Sequence, residues 1–154
     1  MRIGVAADHA GIGLKDLLAR HLRDAGHQVD DLTPDADPQN DYPLIVEPLA
    51  RAVAAGRFER ALFCCGSGIG PAVAANKIAG VRAAVVTDEW SARDAVEHVD
   101  VNLLTLGQRV IGPELAKSIV DAYLGARPED GRHARRRDQI RALEQDATRS
   151  RERT

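Results

Sequence analysis

Residues 60–71 read RALFCCGSGIGP. The first six form an apolar run of strand length that stops at a glycine. Gly66, Gly68 and Gly70 follow within five residues, and Pro71 suits the first turn of a helix. A buried strand that breaks at once into a glycine turn and then a helix is half of a βαβ unit.

The same alternation runs outward in both directions. Upstream, RIGVAA (2–7) is a strand. Residues 13–25 carry Leu14, Leu17, Leu18 and Leu22 at helical spacing, with Gly26 behind them. Residues 28–32 are a weaker strand, TPDADPQNDYP is a loop dense in Pro, Asp and Asn, and 43–55 is a helix. Downstream come a helix over 71–79, a strand over 82–87, a helix over 90–98 and a strand over 101–106. Helices over 113–124 and 132–148 close the chain. The pattern predicts an α/β fold with three layers, Rossmann-like, holding a five-stranded parallel sheet between helices, plus a C-terminal helix. Residues 1–148 are expected to form a single domain, with 149–154 as a frayed tail.

Composition supports this reading. A chain of 154 residues buries ~70% of its unfolded surface and needs no disulfide or metal staple. Hydrophobic content of 44% and charged content of 29% argue against disorder. No apolar run approaches the ~20 residues of a membrane helix. Asp8 interrupts the N-terminus too early for a secretory signal. These features predict a cytoplasmic protein that does not engage membranes. Adjacent Cys64 and Cys65 are not spaced as a disulfide framework and read as reduced thiols. Net charge is −2, but residues 132–154 hold eight arginines against four acids. No aromatic or groove-reading motif accompanies them, so a solvated basic helix is favoured over nucleic-acid binding.

In open parallel sheets ligands bind at the carboxyl ends of the strands. The loops that follow the strands therefore carry the search: Asp8-His9, Cys65 to Gly70, Asp88, and Gly107 to Arg109. The turn Gly66-Ser67-Gly68-Ile69-Gly70 brings backbone N–H groups together at a helix N-terminus and favours an anion. It is neither a dinucleotide fingerprint nor a P-loop. Cys65 enters that turn and reads either as a nucleophile or base favoured as thiolate there, or as a small buried hydrophobe. Alternation sends Cys64 to the opposite face. Asp8 beside His9 suits proton transfer or hydroxyl binding, or else caps its own loop. His98 stands at a helix end, where dipole alone favours histidine. Arg132 and Arg136 share a helix face and make either a phosphate clamp or a solvated pair. No ligand spacing points to a metal.

These residues resemble the ribose-5-phosphate isomerase B family, which includes galactose-6-phosphate and allose-6-phosphate isomerases. The matching segments are Asp8-His9-Ala10-Gly11 with Lys15, Asp41-Tyr42-Pro43, and Cys65 to Gly70 continuing into Ala74-Ala75-Asn76-Lys77. Gly80-Val81-Arg82-Ala83, His98, Asn102-Leu103-Leu104, Gly107-Gln108-Arg109-Val110 and Gly131-Arg132-His133 with Arg136 complete them. The resemblance spans roughly residues 1–146. It implies a metal-free, cofactor-free aldose–ketose isomerase of a sugar phosphate, working through a cis-enediolate as a homodimer or a dimer of dimers with active sites between subunits. It makes Cys65 the base that moves the proton between carbons 1 and 2. Gly66 to Gly70, Ile69 included, become the hole for the enediolate oxygen, and Ser67 the shuttle between oxygens. His98 becomes the ring-opening acid with Asp8 as companion. His9, Arg109, Arg132 and Arg136 become phosphate and sugar ligands, and Tyr42 a pocket residue. Relatives without the cysteine use a glutamate at the following helix start, where this chain has Pro71, so the chain is of the cysteine type. One position departs: an asparagine usually follows the acidic histidine, and here it is Val99. That change opens the alternative of a tetrose or hexose phosphate substrate. A flavodoxin-like nucleotide module is disfavoured, since neither an acidic cluster nor a flavin loop is present.

Overall fold

The computed structural model describes residues 1–35 and 40–152, with side chains at 147, 148 and 150–152 outside the description. The elements run in the order β1 (Arg2–Ala7), α1 (Ile12–Asp24), β2 (Gln28–Asp31), α2 (Tyr42–Ala54), β3 (Arg60–Cys65), α3 (Ile69–Ala75), β4 (Ala83–Val85), α4 (Glu89–Val99), β5 (Leu103–Gly107), α5 (Pro113–Gly125) and α6 (Arg132–Glu152). The strands form one sheet in the order β2-β1-β3-β5-β4, every neighbouring pair parallel. The three-layer α/β expectation therefore holds, C-terminal helix included.

Burial explains the layers. β1, β3 and β5 are buried on both faces from their second residue onward, as central parallel strands require. One face, through Ile3, Val5, Leu62, Cys64, Leu104 and Leu106, packs on α1, α4 and α5. The other, through Ala6, Phe63, Cys65 and Leu103, packs on α2 and Ala75 of α3. α6 lies outside the layers against α4. Among the described residues no helix is long and apolar enough to cross a membrane.

The largest departures from the sequence reading fall at α3, β4 and α6. α3 starts two residues early, capped by Gly68, and ends at Ala75 rather than at residue 79. Asn76 stops it: its side chain turns to β4, where Nδ2 donates to Ala83 O and Oδ1 accepts from Ala83 N, both at 2.8 Å. β4 keeps only three residues of the expected six. Its lead-in Arg82 gives its N–H to Asn102 Oδ1 at 2.8 Å instead of to a ladder. α6 continues four residues past its expected end at 148, into the segment read as frayed. The expected loop over 33–43 includes residues 36–39, which lie outside the described residues, as do 153 and 154.

Lys15 fixes the β2 end of the sheet. It is 1% exposed, and its Nζ meets Asp31 Oδ2 and Thr33 O at 2.7 Å each. Thr33 Oγ1 in turn accepts the N–H of Ala7, one residue before Asp8. A buried charge so fully bonded registers the loops on either side of it.

Candidate active site

The strand order reverses between β1 and β3, and their carboxyl ends carry the first cluster. Asp8 leaves β1 with its N–H on Cys64 O at 3.3 Å. Its Oδ1 accepts from Ala10 N at 2.9 Å and its carbonyl from Gly11 N at 3.0 Å. Asp8 thus caps its own loop, and it is nearly buried. The loop lies so close to β3 that a Cβ at Gly11 would sit 2.2 Å from the Cys64 carbonyl. His9 is exposed beside it.

β3 separates the two thiols by alternation. Cys64 sits in the core under α1, and burial, with Cys65 beside it, pushes its thiol far above the ordinary range. It is fully buried. Cys65 faces the other way, at the mouth of the glycine turn. Its Sγ accepts the N–H of Gly68 at 3.0 Å. Gly68 has φ +83°, and a Cβ there would lie 2.6 Å from Val85 Cγ2. Ser67 is exposed, and its Oγ accepts weakly from Ile69 N at 3.4 Å.

Neighbouring elements close on this turn. Past β5 the pairing with β3 continues, with Gln108 N on Cys65 O at 2.8 Å and Arg109 N on Gly66 O at 3.1 Å. The Arg109 guanidinium lies over Gly66, and the Tyr42 ring at the start of α2 lies against Gly70. Gln108 Oε1 accepts from Leu14 N at 2.8 Å, tying this loop to the first turn of α1. Asp88 is no part of the cluster; it caps α4 by accepting from Ser91 N at 2.7 Å. Asp8, His9, Tyr42, Cys65, Gly66 to Gly70 and Arg109 thus lie at the carboxyl ends of the strands and on the elements that close over them, with Asp8 and Cys65 buried and His9, Ser67 and Arg109 exposed.

His98, Arg132 and Arg136 are elsewhere. In a parallel sheet the covering helices run against the strands, so α4 ends at the amino edge. Asp100, two residues past His98, pairs at 3.2 Å with Arg60, the first residue of β3. Cys65 is the last, and six residues of strand span about 16 Å. At this second place the His98 and His133 rings stack with centroids 3.9 Å apart and planes at 14°. His98 Nδ1 meets Asp94 Oδ1 at 2.7 Å, and Arg132 Nε donates to His133 Nε2 at 3.1 Å. Burial, then the neighbouring His98 and Arg132, hold the His133 imidazole below its ordinary pKa of 6.5. Arg136 is exposed one turn along α6. Val99 does not open onto the Cys65 turn. It packs against the core and lines a cavity of about 490 Å³ with Arg82, Val101, Ile140 and Glu144.

Sequence reasoning gave no role to Gln108, Thr33, Asp94, Glu129 or His133. Gln108 and Thr33 act through partners distant in sequence, Leu14 and Ala7, whereas Asp94 pairs with His98 and Glu129 with His133 four residues away. Lys15, a charge inside the apolar stripe of α1, and the four-residue spacing of Asp94 and His98 carried local signals.

Comparison with known proteins adds the chemistry. The family model described as Ribose/Galactose Isomerase matches residues 3–140. Ribose-5-phosphate isomerase B of Escherichia coli is 43% identical over 144 residues, covering 94% of this chain and 97% of that protein. D-erythrulose-4-phosphate isomerase of Pectobacterium atrosepticum is 39% identical over 141 residues, covering 91% and 93%. Among solved structures, ribose-5-phosphate isomerase B of Clostridium thermocellum superposes with a TM-score of 0.92 at 41% identity, over 96% of this chain and 99% of that one. The Mycoplasma genitalium protein with bound ribulose-5-phosphate superposes at 0.83 with 36% identity, over 94% and 96%.

Proposed function

The chain belongs to the ribose/galactose isomerase family, and from that premise we propose how its two clusters divide the work. The protein is an aldose–ketose isomerase of a sugar phosphate, with ribose 5-phosphate and ribulose 5-phosphate as the default pair. Cys65, as thiolate, takes the proton from carbon 2 of the open-chain aldose and returns it to carbon 1. Gly68 N–H holds the sulfur, and the other N–H groups of Gly66 to Gly70 stabilise the enediolate oxygen. Ser67 passes the hydroxyl proton between the two oxygens. Tyr42 and Arg109 wall the sugar.

His98, Arg132 and Arg136 are too far from Cys65 within one chain to share its substrate. In this reading a second copy supplies them, His98 opening the furanose ring with Asp8 and the arginines, with His9, gripping the phosphate. The protein then works in the cytoplasm as a homodimer, or a dimer of dimers, with each site shared between subunits. The observation that carries the reading is the Cys65 Sγ held by Gly68 N–H at the mouth of the turn.

A second substrate reading has its own support. Two relatives at 39% and 36% identity are D-erythrulose-4-phosphate isomerases, and Val99 replaces the amide that usually follows the acidic histidine. A non-catalytic subunit, as the 33% identity to a galactose-6-phosphate isomerase subunit raises, is disfavoured by retention of Cys65, Ser67, His98 and both arginines. The deciding experiment is kcat/KM on ribose 5-phosphate, a tetrose phosphate and a hexose 6-phosphate, for wild type and Val99→Asn. A preference for the tetrose that Val99→Asn moves toward ribose 5-phosphate supports the second substrate. A wild-type preference for ribose 5-phosphate, unmoved by the substitution, establishes the default. No turnover on any member sinks both.

A further inference from the structure

α4 ends at His98-Val99, and a helix end leaves its last carbonyls without partners inside the helix. Those of Glu97 and His98 are taken up by α6 and its lead-in. Glu129 N–H donates to Glu97 O at 2.8 Å. Arg137 Nη1 donates to His98 O at 3.3 Å and to Glu97 O at 3.5 Å, while its Nη2 donates to Glu129 O at 2.8 Å. One half-buried guanidinium thus ties the end of α4 to the loop before α6, from a position 39 residues beyond His98. A cation at the carboxyl end of a helix also meets the negative end of its dipole.

The turn after His98 is held as closely. Asp100 has φ +54°, the one positive φ at a residue other than glycine among the described residues. Arg82 Nε donates to its carbonyl at 2.7 Å and Nη2 to its Oδ2 at 2.8 Å, and Arg60 pairs with its Oδ1 at 3.2 Å. Left-handed backbone at such a residue persists where its surroundings over-determine it, and such places cluster at working sites. Arg60 and Arg82 anchor this turn to the sheet. Arg137 anchors it to α6, the helix that carries Arg132 and Arg136.

We propose that Arg137 is a positioning residue for the isomerase: it holds His98, the ring-opening acid, at a set distance from Arg132 and Arg136, the phosphate clamp. In a furanose phosphate the ring oxygen and the phosphate are separated by a fixed number of bonds. Acid and clamp must keep a matching separation for the proton to reach that oxygen. The two sit on different helices, so their separation is set by whatever joins the end of α4 to α6. Asp94, on α4 itself, fixes the His98 ring only relative to its own helix. Arg137 fixes the helix end, through main-chain carbonyls, and acts on the reaction through His98. The inference rests on the roles proposed above for His98 and the two arginines.

The test is a double-mutant cycle on the full chain, read as kcat on ribose 5-phosphate. Arg137→Met keeps the aliphatic stem and removes the guanidinium. It is expected to lower kcat ~10-fold, the cost of a small misplacement of a catalytic group. Arg137→Lys, a charge without the planar fork, recovers part of that loss and carries the cycle if Arg137→Met does not fold. His98→Asn lowers kcat by itself, and in that background neither substitution of Arg137 lowers it further. Wild-type kcat in Arg137→Met overturns the inference and leaves His98 as the acid. A loss of the same factor in both backgrounds also overturns it, because that is the mark of general damage to α6. If His98→Asn turns over ribose 5-phosphate at the wild-type rate, or wild type does not turn it over at all, the role of the acid falls and the inference falls with it.

Discussion

Gly68 donates its amide N–H to Cys65 Sγ across 3.0 Å, from a left-handed backbone at φ +83°. The pair sets the direction of the sulfur: across the turn, on the sheet face opposite Cys64. Two adjacent buried thiols thereby acquire different surroundings, Cys64 in the core beneath α1 and Cys65 in the core beneath α2 with its sulfur on the glycine turn.

Replacing each thiol tests that division. Cys65→Ala is expected to lower kcat by ~10²–10⁴ with little change in KM, the contribution of a positioned base. Cys64→Ala is expected to leave turnover nearly intact while lowering stability by about 1 kcal/mol through a small core void. Steady-state kinetics and denaturant titration read both. Near wild-type turnover in Cys65→Ala would remove the thiol from the mechanism.

Shared sites have a distinctive genetic signature. Cys65→Ala and Arg132→Ala are each expected to be nearly inactive at low substrate. Co-expressed, they form mixed dimers in which one of two sites is whole, so about a quarter of wild-type activity returns with random two-fold pairing. If every site were built within a single chain, the mixture would stay as inactive as its parts.

The arginines of α6 are expected to act on the phosphate alone. Arg132→Ala and Arg136→Ala should raise KM and weaken inhibition by phosphate-bearing analogues, sparing inhibition by unphosphorylated sugars. A guanidinium fork gives bidentate geometry that a lysine does not reproduce, so Arg132→Lys should recover only part of the affinity. Equal loss for both inhibitor classes would assign these residues to holding α6.

His133 ties stability to acidity. Its folded pKa lies below the ordinary 6.5 because burial and neighbouring cations oppose its charge. The unfolded chain therefore binds the proton more readily, and stability falls as pH drops through 6.5 toward the folded value. Above that window the residue costs nothing. Tm measured from pH 7.5 down to 5.5 should fall more steeply in wild type than in His133→Gln. Parallel curves would place the acid sensitivity elsewhere.

The strands RIGVAA and RALFCC are legible to the residue because continuous burial on both faces leaves only apolar runs there. The end of α3 is not, because an asparagine side chain, not a breaker residue, stops it by reaching seven residues ahead to Ala83. The group around Cys65 was legible since its parts follow the strands directly. The cluster of His98, Glu129 and His133 was not, because it exists only when α6 folds back over α4, a packing that no local periodicity announces. Gln108 belongs to the same kind: its partner Leu14 lies 94 residues away. The amino-edge position of His98, by contrast, follows from topology once α4 is known to run against the strands.

The Asn76 amide at Ala83 has a consequence for how copies of this protein can meet. β4 is the outermost strand, and a bare border of this kind invites another polypeptide to add itself as the next ribbon. The amide presents one donor and one acceptor to Ala83, as a sixth strand would, so that stretch of the border is already satisfied. Association along this flank must then proceed through side chains such as Val85, Ile69 and Trp90, which are exposed there, and not by fusing two sheets into one. Contact through side chains keeps each sheet separate, whereas an unguarded border would let sheets join edge to edge.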